Sequence, residues 1–316
     1  MKTKNAPQKA NFCKSVPFKK PDARDGQFTA ELDCLASSLQ ITEETLQEKL
    51  DITTCSKLIA DACYAANKNP QSFYTFISSY TGFNRPAAGC VVQLTGHIDH
   101  AVFQKLFENP DDKILPDRSN YIARQIYEAS TDEYLGRHHW LAAGLREAAR
   151  QYAAIPLKET ARHVATPWLN AMNREMILNY CGDGEGIRSL AKAVGYHLAS
   201  ELLADIEFSI IDQILLCDKE SGFAAFLMHH YRKLNSAHFD MSFMNERLDP
   251  VSWIRSHAQA DHHAAEYRHF QHALHAANGV IYWGQGFSGD VLQSCIYEGA
   301  AAFGNLQTRF FRQFPV

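Results

Sequence analysis

Eight cysteines stand apart at positions 13, 34, 55, 63, 90, 181, 217 and 295, and no Cys-x-x-Cys pair occurs among them. That argues against a zinc knuckle, a thioredoxin-type motif or a disulfide framework, and leaves most of the thiols as small buried hydrophobes. No apolar run approaches the roughly 18–20 residues that span a bilayer. No charge of one sign dominates, and a net charge of −4 offers nothing to a nucleic acid or an anionic membrane. Period-two alternation is missing, as are hairpin dipeptides between apolar runs. No repeat of about 30–45 residues suggests a solenoid. The polar, lysine-rich stretch 1–26 lacks the apolar segment of a secretory signal. It reads as a flexible leader ahead of a single domain over 27–316, and a cytoplasmic protein is the expectation.

What is present is helical signal and histidine. Thr42-Glu-Glu-Thr opens a capping-box-like start, and Asp51 to Thr81 reads as one or two helices. Turn chemistry over 82–90 and at Pro110 to Asp117 breaks the chain. A long helix is expected over 119–154, with Gly136 as a point of interruption. Its second half carries His138, Leu141, Leu145, Ala148 and Tyr152 on one core stripe, while His139 points about 100° away. Further helices are expected over 167–181, ended by Gly182, then 187–217 (the most apolar), 223–233, 250–278 and 291–314. The fold class that follows is an all-α bundle.

Fifteen histidines are the compositional excess. The most chemically loaded segment is 256–269, where His262, Glu266 and His269 stand at i, i+4 and i+7. At 3.6 residues per turn these project from one stripe of a helix. Two imidazoles and a carboxylate form a nitrogen/oxygen set suited to iron, manganese or zinc. Bundle metal sites draw their remaining ligands from facing helices. Glu133 and His138 offer these on the long helix, and Glu201 does so from inside the most apolar helix. A charged carboxylate there costs several kcal/mol unless it is paired. A solvated polar face is the bland alternative for each group.

Taken in order, Glu133-Tyr134-x-Gly136-x-His138-x-x-Leu141, Tyr196-x-x-Ala199-x-Glu201 and His262-x-x-x-Glu266-x-x-His269 resemble the motifs of the haem-oxygenase-like diiron oxidases. The resemblance covers about residues 90–315, and its last motif is the most specific. It implies a bundle of about seven core helices over 90–316 with extra N-terminal helices, and an insertion around 216–250. It also implies that Glu133, His138, Glu201, His262, Glu266 and His269 ligate two Fe2+ per chain. Glu266 stands where the family more usually has Asp. The short gap from Glu133 to His138 leaves Glu128 or Asp132 open in place of Glu133, and His139 in place of His138. Asp99 is the one candidate for an upstream acidic ligand. A competing register through His257 and Asp261 lacks its third member, which is Ala264.

Iron in such a shell binds and reduces O2, which side chains alone do not do. The implied activity is O2-dependent oxidation, at C–H, C–C or N, of a small amino-acid-derived substrate of specialised metabolism. Tyr134, Arg137 and Tyr267 are candidates to orient the ligands. The aromatic tail, Tyr282-Trp283 and 303–314, reads as core packing of the last helix. Two other function classes stay open: a cofactor-free TenA-like hydrolase with a cysteine nucleophile, and a non-enzymatic helical binding protein. A second copy of the chain is an open possibility as partner.

Overall fold

The computed structural model describes residues 25–108, 115–128, 137–159, 166–182, 186–218, 220–234, 242–243, 246–247, 251–258, 263–284 and 286–316. Helix starts follow local chemistry. Thr42 and Thr45 close a reciprocal capping box ahead of α2 (Glu43–Lys49), with backbone-to-hydroxyl distances of 3.0 and 3.2 Å. Asp51 caps α3 (Ile52–Asn67), and Asn69 caps α4 (Pro70–Phe83), whose proline sits at the first helical position. A short α1 (Asp25–Leu32) precedes these, so the last two residues of the expected leader are already helical. The rest of that leader lies outside the described residues.

The chain continues through α5 (Ala87–Glu108), α6 (Leu115–Glu128), α7 (Arg137–Tyr152), α8 (Pro167–Cys181) and α9 (Ile187–Ile211). It ends with α10 (Gly222–Leu234), α11 (Ser252–Ala258), α12 (His263–Trp283) and α13 (Gly289–Phe311). The protein is an all-α bundle. Gly182 ends α8 at φ +76°, where a side chain would also run into Ser189 and His97. The single helix expected over 119–154 is seen as α6 and α7, with 129–136 outside the described residues. The two pack on different partners, α6 on α5 and α12, α7 on α4, α10 and α11. The helix expected over 250–278 is likewise α11 and α12, with 259–262 undescribed.

Around the expected insertion, α9 passes into a π-helical segment, Asp212–Cys217, before α10. A two-stranded antiparallel ribbon, β1 (Ser242–Phe243) and β2 (Glu246–Arg247), follows. Two residues per strand are too few to print an alternating pattern in the sequence, so this ribbon was not foreseeable from periodicity. No helix among the described residues is long and apolar enough to cross a membrane.

The middle of the bundle is α9. It touches α3, α5, α8, α11, α12 and α13 and is buried on nearly every side, as its all-round apolar sequence requires. Its closest partner is α13. A Cβ on Gly195 would strike the Ile296 carbonyl, and one on Gly299 would strike that of Lys192, so paired glycines let the two backbones meet. Most of the aromatic tail is core: Trp283, Phe303, Phe310 and Phe311 are buried, and Phe310 stacks on Phe83 of α4, whereas Tyr282 is exposed. Asn278 of α12 binds the small N-terminal helices in place. Its amide accepts from Ile41 N at 2.9 Å and donates to Ile41 O at 3.0 Å.

Candidate functional site

Three chemically active side chains lie along α9 and the helices α8 and α12 that pack on it. Two are on α9, one turn apart: His197, with no solvent exposure, and Glu201, whose side chain is 13% exposed. The third is His269 on α12, whose imidazole lies close enough to help keep His197 from charging. Burial is the larger cause, and together they push the His197 pKa down to about 3. His197 is therefore neutral at ordinary pH.

The proton on that neutral ring can be placed by counting donors. The Ser200 hydroxyl donates to the His197 carbonyl at 2.7 Å. Its oxygen then accepts from the Tyr180 hydroxyl at 2.8 Å. Burial holds Tyr180 well above the ordinary tyrosine range, so that proton stays on. His197 Nδ1 faces two oxygens, Tyr180 Oη and Glu201 Oε1, each at 3.5 Å. With its own proton committed to Ser200, Tyr180 is an acceptor here, and the Glu201 carboxylate is an acceptor too. The proton accordingly belongs on Nδ1. Nε2 is left with a bare lone pair, and it is buried without a hydrogen-bond partner among the described residues.

The expected ligands divide as follows. Glu201 lies 3.5 Å from His197, and His269 is within electrostatic reach of the same ring. Glu133 and His262 lie outside the described residues. His138 and Glu266 are on α7 and α12, with side chains outside the described set, as are those of Asp99, Glu128, Arg137 and Tyr267. Asp132, Tyr134 and Asp261 are also undescribed. His139 is exposed and lines a groove of about 230 Å³ with Thr81, Arg85, Ala142, Ala143 and Arg146. His257 of the competing register contacts the Trp253 carbonyl through Nδ1 at 2.6 Å and stacks on Phe208. Among the described residues no group of three or more His, Cys, Asp or Glu side chains is placed to hold a metal ion, His197, Glu201 and His269 included.

His197 is the residue the motif reading passed over. Its signal was present: His197-x-x-x-Glu201 is an i, i+4 pair inside the most apolar helix. Burial and the direction of each ring nitrogen raise it above its neighbours. A buried imidazole with one nitrogen turned to a carboxylate and the other bare fits the donor chemistry of a divalent metal.

Six residues beyond Glu201 on α9, Glu207 is buried in the core. Gln307 Nε2 donates to its Oε2 at 2.6 Å, and the Tyr80 hydroxyl lies alongside. Burial dominates and pushes its carboxyl up to about 7. The hydrolase alternative needs a thiol primed as thiolate. Burial instead holds those of Cys55, Cys63 and Cys217 above their ordinary value.

No protein-family model matches the chain, and no curated protein or solved structure does so either.

Proposed function

We propose that the chain is an O2-dependent non-haem diiron oxidase or oxygenase acting on a small amino-acid-like substrate. The observation that carries this reading is the bare, buried Nε2 of His197 beside Glu201 and His269. A fully buried polar atom without a partner costs about 1–3 kcal/mol. In a native site it calls for an explanation such as a bound ion. The donors that complete the shell are those of the sequence motifs: Glu133 and His138, with His262 and Glu266 alongside His269.

Bound iron supplies the ability to activate O2. The chain's own part is to hold and enclose it. On α9 the buried Leu198, Ala199 and Leu202 flank the donors and limit water at the centre. Tyr180 and Ser200 fix the imidazole of His197 through the hydrogen bonds described above. The amino-acid-like substrate and the count of two irons per chain follow from the resemblance of the three motifs.

The test is to load the chain with Fe2+ without oxygen, admit O2, and follow O2 consumption and near-ultraviolet absorption. An O2-dependent absorbance change in the wild-type chain, absent from His269→Ala, is the expected result. Equal behaviour of the iron-loaded and iron-free chains overturns the reading.

A further inference from the structure

We propose that His197 Nε2 is the ligand α9 gives to the metal, and that Glu201 is the carboxylate that orients this imidazole from behind. The proposal rests on the metal reading above and goes beyond the motif, in which Glu201 itself is the ligand.

Three observations converge on it. His197 Nδ1 lies 3.5 Å from each of two oxygens, Glu201 Oε1 and Tyr180 Oη, and the Tyr180 proton is committed to Ser200, so geometry places the ring's proton on that side. The opposite nitrogen is a lone pair with nothing to accept. The nearby imidazole is His269, a member of the most specific motif. A divalent cation is a partner of the kind that the bare Nε2 of His197 lacks.

Ring geometry then separates the roles. The two nitrogens of an imidazole point away from each other across the ring. An ion on Nε2 lies on the far side from Glu201 Oε1, and the two groups do not close on the same ion in this arrangement. What remains is the carboxylate–histidine–metal relay, in which the carboxylate fixes the tautomer and raises the basicity of the ligating nitrogen. Glu201 is a positioning residue in this scheme, and Tyr180 shares the task.

Cobalt(II) binding to the full-length, metal-stripped chain tests both halves, with ligand-field absorption and thermal unfolding of the metal-free protein as readouts. His197→Leu is expected to weaken Co2+ binding by more than the roughly 10–100-fold that loss of an outer partner costs. The metal-free chain is expected to stay folded, because leucine removes the unpartnered Nε2 and this offsets the loss of the Nδ1 contacts to Glu201 and Tyr180. Glu201→Gln is expected to weaken binding only within that 10–100-fold range and to keep the wild-type band shape.

Wild-type affinity and spectrum in His197→Leu overturn the assignment while the metal reading stands. A Glu201→Gln chain that loses the metal as fully as His197→Leu overturns the division of roles. A wild-type chain that binds no Co2+ and no Zn2+ overturns the metal reading itself, and this proposal with it. Proton–nitrogen imidazole spectra of the wild-type chain give a check without substitution. The prediction is an Nδ1–H tautomer for His197 and a Zn2+-induced shift at its Nε2. An Nε2–H tautomer, or a shift confined to His269, contradicts it.

Discussion

At the scale of the residue, α9 carries two buried ionisable groups that solve the same problem in opposite ways. His197 stays neutral by giving up a proton, and Glu207 by keeping one. Glu207 has a measurable consequence. Its carboxyl is pushed from 4.5 up to about 7 in the folded chain, so between those values the native state holds a proton that the unfolded state has lost. Stability contributed by the protonated carboxyl is complete below pH 4.5 and is lost as pH rises through about 7. The loss amounts to about 3 kcal/mol at most. Urea unfolding at pH 5 and pH 8 checks this. Glu207→Gln flattens the difference and is the more stable protein at pH 8. An unchanged pH dependence in that variant assigns the effect elsewhere.

At the scale of the element, the bundle depends on a few close approaches. The α9–α13 contact relies on Gly195 and Gly299, where an added methyl meets backbone carbonyls that do not move aside as a flexible side chain does. Either glycine to alanine destabilises by at least about 2–3 kcal/mol, read as a lower denaturation midpoint. Asn278 joins α12 to the N-terminal helices through both backbone groups of Ile41, which is almost fully buried. Asn278→Ala strands a donor and an acceptor and costs about 2–4 kcal/mol in the same measurement. Neither effect needs metal.

Local chemistry is what made most helices legible beforehand. The Thr42 box, the Gly182 stop and the Leu141, Leu145 and Ala148 stripe depend on near neighbours in sequence, and all appear where spacing puts them. The division between α6 and α7 was legible only as the interruption expected at Gly136, and that between α11 and α12 was not legible. Hydrophobic period carries on across a break, while which helix packs on which is a tertiary matter. The same limit applies at the site. Glu201 and His269 stood out because their types and spacings carry chemistry. The importance of His197 lies in the direction of its two nitrogens, set by Tyr180 of α8 and Ser200, and a linear pattern holds no such direction.

At the scale of the whole molecule, an all-α bundle surrounds one apolar central helix with polar chemistry at two levels. One is the Glu207 carboxyl, hydrogen-bonded to Gln307, and the other the His197 imidazole with its unpartnered Nε2. The first stabilises or destabilises with pH, and the second is open to an ion. This asymmetry is the case for a metal centre between α9 and α12. Anaerobic titration of the full chain with Fe2+, followed by removal of free metal and iron analysis, tests it most directly. The account predicts two irons held per wild-type chain and a clear loss in His269→Ala, since a missing ligand is not replaced in a closed bundle site. Wild-type protein that retains no more iron than His269→Ala contradicts it.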